Sequence, residues 1–305
     1  MRQEIAFLIL LLACSSSFAK KSDINIWHGV KSMRGEIVQM EIYEPENPNG
    51  TAVIICPGGS YFHLDVLSEG YTTARYFSSK GVRAFVLWYR VAKNNYHYPA
   101  MMQDVQRAIQ LVRENADKYN IDKNKVGLIG FSAGGHLVTW AAAFAERSNE
   151  LEKMGIKTDV SLRPDFVIPV YPVVSMQDDI CHKKSRWSLL KSKPSQEKKD
   201  LFSLDMQIPD NMPPTYLVAC KDDPIVKYEN SVRLSEALKA KNIDYKFTLY
   251  DWGGHGFAMK NNKFMKTFHW NEPLYEWLKE RGFMGEQEQE LVQETPQESE
   301  EAESK

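Results

Sequence analysis

The chain has 305 residues, 43% hydrophobic and 26% charged, a balance that excludes a disordered or fibrous protein and is enough for one large domain or two small ones. Its formal net charge of −2 is unevenly spread: from Glu286 to Lys305 eight glutamates and one lysine carry −7, leaving the remainder at +5. A body so weakly basic, with lysine and arginine scattered, offers no electrostatic footprint for nucleic acid.

The first segment, 1–19, has Arg2 near its start, an apolar run from Ile5 to Ala13, then small and polar residues up to Ala19. Nine apolar residues span roughly 14 Å as a helix, about half a bilayer's hydrocarbon, so the segment predicts an export signal rather than a membrane anchor. Two cuts compete. Ser17-Phe18-Ala19 would release a soluble, secreted or periplasmic protein beginning at Lys20. Leu11-Leu12-Ala13-Cys14 matches a bacterial lipoprotein signal and would leave a lipid on Cys14 as the sole tie to a membrane.

From residue 20 to 284 short β-rich runs alternate with helical patterns. Strands are predicted at Glu36–Glu44, Ala52–Cys56, Arg83–Tyr89, Lys125–Phe131, Phe166–Tyr171, Thr215–Cys220 and Tyr245–Tyr250. Helices are predicted at Glu69–Lys80, Pro99–Tyr119, Ala133–Arg147, Tyr228–Lys241 and Asn271–Arg281. Near-continuous apolar runs are the mark of parallel strands covered on both faces. Their alternation with helices predicts an α/β fold with a mostly parallel, doubly wound sheet. Met176–Pro214 lacks a clear strand and reads as a long loop, a lid or a binding wall. The tail, 285–305, is rich in Glu, Gln and Ser and reads as disordered. Cys56, Cys181 and Cys220 show no CxxC or Cys/His spacing, and Cys56 and Cys220 read as buried, inert thiols.

The most informative stretch is Gly130-Phe131-Ser132-Ala133-Gly134, which follows a predicted strand and opens an alanine-rich helix. That is the setting of a nucleophile elbow, in which a serine sits on a strained strand-to-helix turn and bulkier flanking side chains would clash. The base should follow in the chain order serine, acid, histidine. His255, in the glycine-flanked loop after Tyr245–Tyr250, is better placed than His269, which reads as a packing residue. For the acid, Asp222 and Asp223 both lie after the strand Thr215–Cys220, and the spacing alone does not separate them. Asp251 reads as strand-end solvation. Oxyanion amides are expected from Ala133 and from the loop Cys56-Pro57-Gly58-Gly59-Ser60-Tyr61.

Together these segments resemble the α/β-hydrolase fold and, more narrowly, the bacterial acetyl xylan esterases and related carbohydrate deacetylases. Trp88-Tyr89-Arg90, Tyr98-Pro99-Ala100, Tyr171-Pro172-Val173, Pro213-Pro214-Thr215, Asp222-Asp223-Pro224 and Trp277-Leu278 add to the match. The resemblance implies Asp223, three residues before Val226, as the acid. It also implies Ser132 as nucleophile, His255 as base, and Gly59, Ser60 and Ala133 as oxyanion donors. Ser60 stands where relatives often carry a third glycine, and Lys227 where proline is common. The implied reaction is a two-step acyl transfer with no metal or organic cofactor, on an acylated carbohydrate such as xylan. Tyr61, Phe62, Trp187 and Trp252 are candidates to stack on sugar rings. A feruloyl or small-acyl esterase, a serine peptidase and a non-catalytic glycan-binding protein on the same fold are the rival readings.

Overall fold

A computed structural model describes residues 20–285, so the export signal read at 1–19 and the acidic tail from Glu286 lie outside the described residues. Eight strands form one sheet: β1 Lys20–Asn25, β2 Gln39–Glu44, β3 Ala52–Cys56, β4 Arg83–Leu87, β5 Val126–Phe131, β6 Val167–Val170, β7 Thr215–Cys220 and β8 Tyr245–Tyr250. They lie in the order β1-β2-β4-β3-β5-β6-β7-β8. β1 and β2 are antiparallel to their neighbours, and β3 to β8 run parallel. The helices are α1 Thr72–Ser79, α2 Ala100–Glu114, α3 Ala116–Tyr119, α4 Ala133–Ala143, α5 Lys183–Leu190, α6 Gln196–Leu201, α7 Glu229–Ala240, α8 Lys263–Phe268 and α9 Asn271–Glu280.

The continuous apolar runs are explained by cover on both faces. Along β3, Ala52, Ile54 and Cys56 pack with α2 and α4, through residues such as Val105, Ile109 and Leu137. Val53 and Ile55 point the other way, into a cluster with Phe77 of α1 and Leu274, Trp277 and Leu278 of α9. A period-two chain therefore delivers apolar side chains to two cores at once.

Three features depart from expectation. β1 was not foreseen, because Lys20-Lys21-Ser22-Asp23-Ile24-Asn25 carries one apolar residue and pairs only as an edge strand on β2. Met176–Pro214 is not one long loop: α5 and α6 fold within it, α6 opened by Ser195, whose Oγ accepts the Lys198 amide. The helix predicted over Pro99–Tyr119 breaks at Asn115 into α2 and α3.

Just beyond β4, Arg90 is fastened to α2. Its Nε donates to Asp104 Oδ1 at 3.0 Å and its backbone amide to Asp104 Oδ2 at 2.8 Å, while Trp27 Nε1 donates to Oδ1 at 2.8 Å. Asp104 is fully buried, so removing it strands a guanidinium and an indole N–H away from water. Asp104→Ala is expected to lower unfolding free energy by about 3–5 kcal/mol, read as a lower midpoint in urea. A change under about 1 kcal/mol would show the network to be idle.

Candidate active site

Six segments of the site follow the carboxyl ends of parallel strands: the loop after β3, Trp88 to Arg90 after β4, Ser132 after β5, Tyr171 after β6, Asp223 after β7 and His255 after β8. Crevices at that edge are where open α/β sheets bind ligands.

Ser132 joins β5 to α4 with φ 53° and ψ −115°, a conformation non-glycine residues rarely adopt. The neighbouring glycines are required by contact. A Cβ on Gly130 would sit 2.1 Å from the Gly134 carbonyl oxygen, and one on Gly134 would sit 2.0 Å from that of Cys56. The turn can therefore press against β3 only with both positions bare.

His255 Nε2 lies 2.9 Å from Ser132 Oγ, and His255 Nδ1 lies 2.6 Å from Asp223 Oδ2. The other oxygen, Asp223 Oδ1, accepts the amides of Ile225 at 2.8 Å and Val226 at 2.9 Å, so the carboxylate is held at both ends. Asp222 points elsewhere and accepts the Gly254 amide at 2.8 Å. Asp251 is exposed and paired with Lys221. His269 caps α8 in the left-handed region, exposed beside Glu272 instead of packed in the aromatic patch.

The loop after β3 runs along the front of the elbow. The amides of Gly59, Ser60 and Ala133 donate to no acceptor among the described residues, which leaves them available to a developing oxyanion. Gly59 has φ 120°, and a Cβ there would meet the His63 carbonyl oxygen at 2.1 Å. Ser60 and Tyr61 both take left-handed backbone, at φ 60° and 57°, so the serine in place of a third glycine keeps a glycine-like turn under strain.

The aromatic candidates separate. Tyr61 is 0% exposed and is not a sugar platform: its hydroxyl lies 2.9 Å from His136 Nδ1, and His136 Nε2 lies 2.9 Å from the Phe202 carbonyl. Burial pulls the His136 imidazole down to about 4, so the ring is neutral and serves as a brace between the β3 loop and α4. Trp252 packs on Phe264 and Phe268 of α8, and among the described residues none of its ring contacts is to the triad or the β3 loop. Trp187 of α5 is 46% exposed and its ring centroid lies 6.3 Å from that of Phe62. It also lines a cavity of about 410 Å³ with Lys183, Arg186 and Lys191. Ahead of α5, His182 has its imidazole pKa lowered by burial and by the charges of His255 and Lys184, with Asp223 opposing.

One residue went unnoticed in the sequence. Glu69, read there only as the first residue of a helix, lies in a π-helical turn, Val66–Tyr71, behind the β3 loop. It is 3% exposed; its Oε2 accepts the Gly58 amide at 2.6 Å and its Oε1 the Tyr171 hydroxyl at 2.9 Å. Burial pushes its carboxyl up to about 7, opposed by those two donors. Nothing local in Leu67-Ser68-Glu69-Gly70-Tyr71 announces this, because one partner lies in the loop after β3 and the other, 102 residues on, just after β6. Cys56 and Cys220 are buried free thiols, Cys181 is free and half-buried, and no cluster of metal-ligating side chains occurs among the described residues.

Comparison with known proteins places this geometry in context. Residues 40–238 match the BD-FAE family and residues 203–281 the Dienelactone hydrolase family. An endo-1,4-beta-xylanase B of Butyrivibrio fibrisolvens is 33% identical over 224 residues, 72% of this chain and 34% of that protein. An acetylxylan esterase of Xylanibacter ruminicola is 29% identical over 280 residues, 89% of this chain and 53% of that protein. The chain thus spans about a third and about half of the lengths of these two curated relatives. Among solved structures, an acetyl ester-xyloside bifunctional hydrolase of Caldicellulosiruptor lactoaceticus superposes with a TM-score of 0.76 at 30% identity, covering 89% of this chain and 100% of that one.

Proposed function

The chain belongs to the BD-FAE family and has the α/β-hydrolase fold, and from that premise we propose that it is a serine esterase removing acetyl groups from a plant polysaccharide such as xylan. The observation that carries the esterase reading is the Ser132–His255–Asp223 chain of contacts beside three amides that find no acceptor among the described residues. In this reading His255 Nε2 takes the Ser132 proton as Oγ attacks the ester carbonyl. The oxyanion accepts from the amides of Ala133, Gly59 and Ser60, and the alcohol leaves with the proton from His255. Water then attacks the acyl-enzyme by the same route, releasing the acid and restoring Ser132. Asp223 holds Nδ1–H and stabilises the imidazolium that forms in each half-reaction.

The substrate half of the proposal draws on two proteins similar to this chain, one named an acetylxylan esterase and the other an acetyl ester-xyloside hydrolase. Trp187, half-exposed beside Phe62 at the mouth of the β3 loop, offers an apolar face on which a sugar ring can rest. Export directed by the segment 1–19 suits a polymer degraded outside the cytoplasm.

The test is acetate release from acetylated xylan, run beside hydrolysis of p-nitrophenyl acetate and butyrate. Acetate from the polymer is expected. Activity on the small esters alone would keep the esterase and discard the polysaccharide. Trp187→Ala is expected to raise KM for acetylated xylo-oligosaccharides about tenfold, worth roughly 1.4 kcal/mol, and to leave p-nitrophenyl acetate turnover within about twofold. Equal effects on both substrates would remove Trp187 from the sugar-binding wall.

A further inference from the structure

Glu69 is a buried carboxyl that the triad mechanism does not use, yet its two oxygens hold both sides of the site. Oε2 takes the amide of Gly58, which immediately precedes the oxyanion residues Gly59 and Ser60. Oε1 takes the hydroxyl of Tyr171, whose ring lies against His255 with centroids 4.7 Å apart. The fit is close on every side: a Cβ on Gly58 would sit 2.8 Å from Glu69 Oε2 and 2.9 Å from Ser132 Cβ. Hence the carboxyl, the nucleophile and the first glycine of the oxyanion loop meet around one point. The turn that carries Glu69 is π-helical, a form that recurs at functional positions.

Resting on the serine-esterase reading, we propose that Glu69 is a positioning residue that acts as an ionised carboxylate, fixing the oxyanion loop through Gly58 and favouring the imidazolium of His255 through space and through Tyr171. Two physical effects combine. A charge-assisted bond to the Gly58 amide is shorter and stronger than a neutral one, so the amides that follow are aimed before substrate arrives. A negative charge in a water-poor interior also lowers the energy of a cation forming nearby.

Charged and titratable groups face Glu69 from four sides. Asp65 stands at the start of its own turn and opposes ionisation, while His255 from the loop after β8 favours it. Tyr171 donates from the end of β6, and Tyr89, beyond β4, turns its hydroxyl to the Pro57 carbonyl at 2.6 Å. The balance leaves Glu69 ionising at about 7, so it carries its charge above that pH and loses it below. The acid side of the activity profile should therefore contain a Glu69 step.

The test is Glu69→Gln in the full chain, assayed on p-nitrophenyl acetate. Glutamine can still accept from Gly58 and donate to the Tyr171 oxygen, so it removes the charge and spares the shape. Above pH 8 kcat is expected to fall about tenfold with KM within about twofold, and the acid limb is expected to move to lower pH because the Glu69 step is gone. Tyr171→Phe keeps the carboxyl and removes one donor, so the Glu69 step should move to higher pH. A Gln variant whose kcat and pH profile overlay the wild type overturns the proposal. So does a folded Phe variant with an unmoved acid limb, even if the Gln variant fails to fold by circular dichroism. If the wild type neither hydrolyses p-nitrophenyl acetate nor labels at Ser132 with a fluorophosphonate, the esterase reading fails and this one with it. If it does both, only the role of Glu69 is at stake.

Discussion

Ser132→Ala is expected to lower kcat by about ten-thousand-fold to a million-fold, because on the proposed mechanism Ser132 Oγ, 2.9 Å from His255 Nε2, is the nucleophile. What survives is catalysis by the oxyanion amides and substrate binding alone. The fold should be untouched. Ser132 Oγ bonds only to His255 among the described side chains, and alanine keeps the backbone turn with one atom fewer. The measurement pairs p-nitrophenyl acetate turnover with thermal unfolding and fluorophosphonate labelling. Lost turnover, lost labelling and an unchanged melting temperature make up the expected result. Activity within tenfold of wild type would end the nucleophile assignment, and lost activity with a collapsed fold would say nothing in its favour.

Asp223→Asn should cost about ten-thousand-fold in kcat for a reason visible in its contacts. Oδ1 of Asp223 accepts two backbone amides, from Ile225 and Val226, and an asparagine must keep its oxygen there. Its NH2 group then faces His255 Nδ1 in place of Oδ2, which sits at 2.6 Å in the wild type. A donor at that position pushes the ring proton to Nε2, where it points at Ser132 Oγ and blocks proton abstraction. Asp222→Asn is the control: its oxygen still accepts the Gly254 amide, so turnover should stay within about threefold. If the two substitutions have equal effects, the carboxylate that orients His255 has been misassigned.

Much of this architecture was legible in the sequence because the signals were local. β3, β7 and β8 have the limits read from the chain, and Gly130-x-Ser132-x-Gly134 stands where strand gives way to helix. Asp223 depended on a resemblance, since the distinction from Asp222 is one of direction and both are loop carboxylates. β1 escaped because an edge strand needs no apolar face. Tyr61 misled for the opposite reason: an aromatic in an oxyanion loop suggests a platform, yet its hydroxyl had a buried partner, His136, seventy-five residues away. Trp252 likewise belongs to an aromatic patch formed by residues ahead of it in the chain. Glu69 could be found only in three dimensions, because its partners Gly58 and Tyr171 lie beyond the ends of two different strands, β3 and β6.

The spacing of Ser132 and His255 has a consequence for how the chain comes to life. They are 123 residues apart and meet only after β6, β7 and β8 have been added in turn beside β5. Bringing such distant points together carries the entropy of closing a long loop, which short-range helices do not face. A chain emerging from synthesis can fold the elbow, with its strained serine and its glycines, and still be chemically silent. On the proposed mechanism, a copy that ends before the loop after β8 lacks His255 and with it the group that would take the Ser132 proton.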